Sequence, residues 1–409
     1  MRRFPYASTF VLGLGFFGIS IVWPLFNSLI PPMLTDLGLT AVAVGFVMTW
    51  DNILNVVFQP WVGARSDATR TRFGRRRPWL MLGAPLAAVF FALVPFARQS
   101  LITLALAILG TNIAMALFRS PTIAYLGDLF EPRERSQANG VINLMGGIGG
   151  AVALFGGGAL YRMGVPLPFV AGAAVMLIAV LMVILTVREP IASGAQKDST
   201  STAPSGGVLA SLQRLRRPEG RSLLQMLIAI FAWFVAWNAV EAFFTVYARQ
   251  ILGIEVGSAT QMLTAFAAAL VIFAIPAGLL ATRIGRKTTI RVGLAGMTVG
   301  LLAATFVRSP GVLLGLLAAM GACWALVNIN SLPMVYDLEG QGGIGVATGL
   351  YYLASSAAAI SGPILAGLAI DLGGHVSMWP FSLVFMLAAW LVMGSVPSSS
   401  GPRAEGTTA

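Results

Sequence analysis

The chain is divided into twelve apolar runs of about twenty residues, each long enough to cross roughly 30 Å of hydrocarbon as an α-helix. The runs cover 9–31, 41–64, 79–97, 101–126, 138–160, 166–187, 223–247, 258–282, 289–307, 311–335, 347–370 and 378–397. They are too long for barrel strands and lack a two-residue alternation. Turns such as Pro31-Pro32 and Arg308-Ser309-Pro310 separate them. Only 10% of residues are charged and 57% are hydrophobic. A soluble chain is nearer a quarter charged, so this one cannot cover a water-facing surface. The expectation is an all-α integral membrane protein.

The first run, Thr9 to Ile30 after Arg2 and Arg3, is too long for the apolar core of a secretory signal and lacks a small-residue cleavage site after it. Cys323 is the only cysteine and His375 the only histidine, which leaves no disulfide framework, metal site or Ser-His or Cys-His enzyme. No phosphate loop or catalytic constellation occurs, so no cofactor is expected and energy must come from a gradient. Gly13, Gly15 and Gly18 match a dinucleotide fingerprint in letters, but inside an apolar span with no preceding strand. Gly146–Gly150 and Gly156–Gly158 read as small-residue faces for helix packing.

With the N-terminus placed in the cytoplasm, cytoplasmic segments hold 21 of the 26 Lys and Arg. Outer loops hold Arg98, Arg162, Arg249 and Arg308, and Arg119 remains inside a span. This positive-inside asymmetry predicts a cell (inner) membrane protein with both termini cytoplasmic. It also accounts for the net charge of +11 without nucleic acid. The cluster Arg65–Arg77 lies in a short loop and reads as an anchor for anionic lipid headgroups.

Features recur at nearly one offset. Trp23 and Asn27 answer to Trp237 and Glu241 at 214, Gly63 to Gly278 at 215, and Asp128 and Gly140 to Asp337 and Gly349 at 209. Parallel repeats about an axis along the membrane normal place a substrate site between halves near the midplane, which points to a carrier. The expected division is an N-terminal six-helix bundle (1–187), a cytoplasmic linker rich in Ser, Gly and Arg (188–222), a C-terminal bundle (223–397) and a tail (398–409).

The segment GARSDATRTRFGRRRPW, which holds Gly63, Asp67, Arg72, Gly74, Arg75 and Arg76, resembles the loop between helices 2 and 3 of the major facilitator superfamily. A second copy at Gly278–Lys287 carries Thr282 where that superfamily usually has an acid. The four extra residues Ala68–Thr71, with Asp51 and the stretch from Asp128 to Asn139 and Gly140, resemble the glycoside–pentoside–hexuronide:cation symporters and sucrose carriers. The resemblance implies twelve helices in two pseudo-symmetric bundles, with the basic loops as gates. Asp67 beside the arginines would pair with a neighbouring helix end when the cytoplasmic side is closed, a bistable contact of the kind alternating access needs.

Three charged residues fall well inside spans: Asp51, Arg119 and Glu241. Each costs roughly 2.5–3.5 kcal/mol at a helix centre and should face a cavity or a partner. From the span midpoints, Arg119 lies ~9 Å toward the cytoplasm and Glu241 ~9 Å toward the outside at 1.5 Å per residue. Asp51 lies near the middle, within reach of the Arg119 arm, so an Asp51–Arg119 pair is expected to exchange a proton. Desolvation and a nearby guanidinium act on a carboxyl in opposite senses, so moving the arginine or admitting water switches its proton affinity. Asp51, Asn52 and Asn55 within one turn form a partial site for Na⁺, but Arg119 opposes a second cation, and protons are favoured.

Glu241 reads as a second proton site or an acceptor for substrate hydroxyls, with Trp237 on its face at i, i+4. A carboxylate beside an indole suits a sugar, and equally a cation. The other candidates for substrate contact are Trp23, Asn27, Asn238, Asn328, Tyr351 and Tyr352, with Asn112, Asn143 and Asn330 completing the polar inventory. Arg119 and Asn328 are repeat mates, as are Asn143 and Tyr352. A mostly neutral cavity of Asn, Trp and Tyr favours a polyhydroxy solute. The leading expectation is therefore proton-coupled import of a sugar or glycoside by a monomer. The alternatives are sodium-coupled sugar symport, export of amphipathic or cationic compounds, and a non-transporting sensor or lipid-handling protein on the same scaffold.

Overall fold

A computed structural model describes residues 6–129, 135–187, 220–339 and 343–397. They hold twelve helices long and apolar enough to cross a membrane, and the protein is a multi-pass membrane protein. In chain order these are α1 (Tyr6–Asp36), α2 (Ala41–Ala68), α3 (Arg77–Leu93), α4 (Leu101–Leu129), α5 (Arg135–Met163) and α6 (Leu167–Thr186). Then follow α7 (Arg221–Leu252), α8 (Val256–Ile284), α9 (Arg286–Phe306), α10 (Pro310–Glu339), α11 (Ile344–Gly373) and α12 (Met378–Ser395). Residues 188–219 of the expected linker, the expected tail from 398, Arg2 and Arg3 lie outside the described residues, as do the side chains of Asp128 and Asn139.

Helix α1 packs on α5 and α6, α3 on α4 and α6, and the second part of α2 on α4. Correspondingly, α7 packs on α11 and α12, α9 on α10 and α12, and α8 on α10. The two sets of six meet where α5 lies on α8, α2 on α11 and α1 on α7.

That meeting is concentrated at the end carrying the α1–α2 and α7–α8 loops, here called the closed end. The Arg249 guanidinium bridges both oxygens of Asp36, at 2.5 and 3.0 Å. The Thr245 hydroxyl donates to the Ser28 carbonyl at 2.7 Å. Asp371 of α11 accepts from the Ala41 and Val42 amides at 2.7 and 3.0 Å, capping the first turn of α2 from the other set. Exposed helix-terminal N–H groups bear partial positive charge, so a carboxylate there is favourable. Gly158 and Gly257 let α5 and α8 touch backbone to backbone, since a Cβ on either would collide with the other's carbonyl oxygen. Small residues allow such close approach in membranes.

At the other end, the basic end, α2 follows α11 far less closely. Val56, Val57 and Trp61 of α2 and Tyr352 of α11 are more than half exposed there. The sets close at one end and part at the other.

Candidate functional site

The centre of the site is a break in α2. Its first part, Ala41–Met48, is capped by the Thr40 hydroxyl, and its second part, Trp50–Ala68, begins after Thr49. The Thr49 hydroxyl donates to the Phe46 carbonyl at 2.7 Å and its amide does so at 3.1 Å. A side chain that competes with the backbone in this way tightens and bends a helix. Asp51 therefore sits in the first turn of a new helix segment, where a carboxylate is favoured by the exposed N–H groups.

Depth decides its neighbours. Asp51 is ten residues from the closed end of α2, Glu241 eleven from that of α7, and Asn27 nine from that of α1. Arg119 is eighteen residues from the closed end of α4, about 12 Å deeper than Asp51 at 1.5 Å per residue. Among the ion pairs of the described residues none joins Asp51 to Arg119, although each feels the other's charge. The expected direct pair is thus corrected. Helix α2 extends to Ala68, four residues beyond the expected span, which moves Asp51 toward the closed end. The Arg119 guanidinium instead lies over the Trp23 ring, 5.9 Å from its centroid, a favourable cation–π placement.

Asp51 comes together with Glu241. The two carboxylates, one from each set of helices, line a small chamber with Asn27, Asn52 and Asn238. Asn27 donates to Glu241 at 3.0 Å and Asn52 to Asp51 at 2.9 Å. Asn55, expected beside them, does not line this chamber, and its side-chain Oδ1 accepts from Gln59 Nε2 at 3.1 Å.

Asn27 and Glu241 also line a second, larger chamber of about 150 Å³, formed by α1, α5, α7 and α8 and walled by Leu154, Leu263, Phe266 and Leu270. Every residue that lines the first chamber has its repeat mate lining the second. Asp51 corresponds to Phe266, Asn52 to Ala267 and Met48 to Leu263 at offset 215; Asn238 to Pro24 and Ala242 to Ser28 at 214; Ala359 to Gly150 and Pro363 to Leu154 at 209. Asn27 and Glu241 exchange places. They are mates of one another, and their hydrogen bond joins the two repeats between the chambers. One chamber has become polar and the other apolar.

The remaining candidates divide. Trp237 lines the apolar chamber, but its indole is stacked on Phe266 (4.1 Å, 17°) and on Trp324 (5.5 Å, 26°). Its ring faces are taken up by protein instead of being free for a sugar. Tyr351 bonds with Ser331 at 3.1 Å and meets Tyr352 edge to face. These tyrosines and Asn328 line neither chamber. Asn330 donates to the Ala277 and Leu326 carbonyls at 3.3 and 2.9 Å, a bond across helices. Asn143 is exposed and Asn112 buried.

At the basic end Asp67 pairs with Arg76 of its own loop, and Arg76 donates to Ser66 at 2.5 Å. Gly74, at φ 104°, closes a turn by donating to the Thr71 carbonyl at 3.0 Å, and Arg72 covers Phe73. In the second copy, where Thr282 replaces the acid, Arg286 pairs with Asp337 of α10. Gly63 faces Ser120 of α4. A sequence search for charge missed the apolar chamber altogether; its signal was there in the mates of Asp51 and Asn52.

Twelve helices built as two repeats around a central seam are the architecture of a membrane carrier. The model of the Major Facilitator Superfamily matches residues 10–263 and 249–408, and the chain belongs to that superfamily. It is a transporter, not an enzyme. It is similar to Multidrug resistance protein 2 of Bacillus subtilis, 22% identical over 383 residues that cover 92% of this chain and 91% of that protein. It is also similar to Sucrose transport protein SUC3 of Arabidopsis thaliana, 24% identical over 161 residues, covering 34% of this chain and 27% of the plant protein. The solved nucleoside transporter NupG superposes with a TM-score of 0.75 at 14% identity, over 95% of this chain and 98% of that one, a likeness of fold.

Proposed function

We propose that this protein is a proton-coupled symporter that moves a sugar or glycoside by alternating access between an N-terminal bundle (1–187) and a C-terminal bundle (223–397) joined by a cytoplasmic linker. The observation that carries this reading is the pair of carboxylates, Asp51 and Glu241, facing one amide-lined chamber from opposite repeats. Amides and carboxylates supply the acceptors and donors that hydroxyl groups need. Two like charges around one small chamber favour uptake of a proton by the pair. Arg119, deeper and over Trp23, biases Asp51 through space rather than by contact.

With the basic end in the cytoplasm, as the positive-inside rule requires, the described arrangement is closed outside and open inside. Outward opening then breaks the Asp36–Arg249 pair and the Asp371 cap, and brings the loop that holds the Asp67–Arg76 pair against the opposing helices. Two discrete sets of contacts are what a rocking carrier needs. The similarity to a sucrose transporter over 161 residues supports the sugar reading.

A second reading, export of amphipathic compounds, is favoured by the apolar chamber and by full-length similarity to a multidrug resistance protein. Purified protein in vesicles decides between them. An imposed inward proton gradient is expected to drive sugar accumulation by the native protein. Asp51→Asn is expected to abolish accumulation while sugar counterflow persists. Undiminished accumulation by that variant would sink the coupling role, and lipophilic-cation transport without any sugar transport would establish the exporter.

A further inference from the structure

The basic end of the second bundle holds a cation that the transport site does not use. Arg291 lies five residues into α9 and Trp390 five residues before the end of α12. The two therefore share a depth, about 7.5 Å inside the helix ends at 1.5 Å per residue. The Arg291 guanidinium stands over the Trp390 ring, 5.3 Å from its centroid. It also borders Gly394, where an added Cβ would stand 3.9 Å from Nη2, so a larger side chain there would crowd it. Its Nε is buried without a hydrogen-bond partner. Lys287, one turn earlier on α9, donates to the Gly394 carbonyl at 3.0 Å. Among the described residues no ion pair takes up either charge. The surface around the cluster is apolar: Val292 of α9 and Leu387 and Leu391 of α12 are exposed. Within spans such a surface faces lipid, and an indole and a guanidinium near helix ends belong at the headgroup level.

The other repeat shows what this face needs for packing alone. Offset 210 pairs Arg77 with Lys287. Arg77 donates to the Val187 carbonyl at 2.7 Å, so in each repeat one cation ties the start of a helix to free carbonyls at the end of another. The same offset pairs Met81 with Arg291, Val180 with Trp390 and Ile184 with Gly394. The first bundle thus joins α3 to α6 with hydrocarbon at these three places. The second carries a cation, an indole and a glycine instead. Packing does not call for that change, and an arginine on a lipid-facing surface is costly unless its charge is met.

We infer that Arg291, Trp390 and Gly394 form a site for the phosphate of an anionic glycerophospholipid, bound at the basic end between α9 and α12. Guanidinium N–H groups match phosphate oxygens in a two-pronged pair. Gly394 leaves room for the phosphate beside the guanidinium, and Lys287 adds charge from one turn away. The acyl chains lie along Leu387 and Leu391. A headgroup without an amine keeps its negative charge for these cations, as lipids of the cytoplasmic leaflet do. The site is independent of what the carrier transports.

The test is lipid binding by the full chain purified in a neutral detergent. Dioleoylphosphatidylglycerol, dioleoylphosphatidylcholine and inorganic phosphate are titrated in turn, bound lipid is counted by native mass spectrometry, and thermal unfolding is followed in parallel. The first phosphatidylglycerol is expected to bind about tenfold tighter than phosphatidylcholine and to raise the unfolding temperature. Arg291→Met and Gly394→Ile, which copy the first repeat, are each expected to weaken it about fivefold or more. Arg291→Lys keeps the charge without the fork and is expected to fall between. Arg70→Gln, in the basic loop of the first bundle, is expected to bind as the native protein does.

Native affinity in both Arg291→Met and Gly394→Ile overturns the site. Equal weakening by Arg70→Gln and Arg291→Met also overturns it, because the attraction would then be diffuse charge. Equal affinity for the two lipids removes the anionic headgroup from the proposal. Inorganic phosphate that binds as tightly as phosphatidylglycerol, or displaces it, makes this a free-anion site and overturns the lipid assignment.

Discussion

The polar and apolar chambers on the two sides of the seam occupy equivalent places in the two repeats, and they differ in chemistry rather than in construction. Each takes its walls from the first, second, first-mate and fifth-mate helices of the repeat. In one, Asp51, Asn52 and Asn238 look inward; in the other, Phe266, Ala267 and Pro24 do so. The comparison teaches that the duplication supplies a symmetric frame, while divergence at a few mate positions supplies direction to the site. Divergence is tolerated there because a chamber wall has no packing partner on its inner side. Where the repeats instead touch backbone to backbone, as at Gly158 and Gly257, neither can change in size without parting the helices.

Of the two residues that belong to both chambers, Glu241 should matter most. Glu241→Leu removes one carboxylate of the pair and the acceptor for the half-buried Asn27 amide, a loss of about 1–3 kcal/mol where that amide finds no other partner. Transport is expected to fall by about a hundredfold or more in vesicle uptake. Glu241→Gln keeps a hydrogen-bond partner and is expected to retain counterflow while losing proton-driven accumulation. Equal behaviour of the two variants would mean that Glu241 is a packing element only.

Asn52→Ala copies the apolar chamber's Ala267 into the polar one. With a hydrogen bond worth about 0.5–1.5 kcal/mol, the apparent KM for sugar is expected to rise about three- to tenfold with little change in maximal rate. An unchanged KM would place the sugar elsewhere. The reciprocal change, Ala267→Asn, brings an amide into the apolar chamber. It is expected to change the apparent KM for sugar by less than about threefold, the smallest of these effects, since a single added amide offers about 0.5–1.5 kcal/mol and lies outside the polar chamber.

Much of this was legible before any coordinates. All twelve spans, the repeat, and the three intramembrane charges follow from run length, periodicity and composition. Helix ends were less legible, and they had consequences. Helix α7 continues to Leu252 and α2 to Ala68, so Glu241 and Asp51 share a depth that shorter spans denied them. Arg119, read as the partner of Asp51, lies over Trp23 instead. Trp237 looked available to a sugar because a sequence shows an aromatic residue but not the rings stacked on it. Asp36 and Asp371, which join the repeats at the closed end, read in the sequence as ordinary residues at span ends.

The sequence by itself determined that the chain crosses a membrane many times and is built twice over. Partition into hydrocarbon depends on run length and charge content, and duplication leaves offsets that survive divergence. Only the tertiary structure decided that Asn27 meets its own mate Glu241, that Asp51 faces Glu241 rather than Arg119, and that the seam holds two chambers of opposite character. A 3.6-residue period tells which residues share a face of one helix. It does not tell how deep that helix sits or which face of which neighbour it meets. Contacts across the seam depend on those two quantities, and packing sets both.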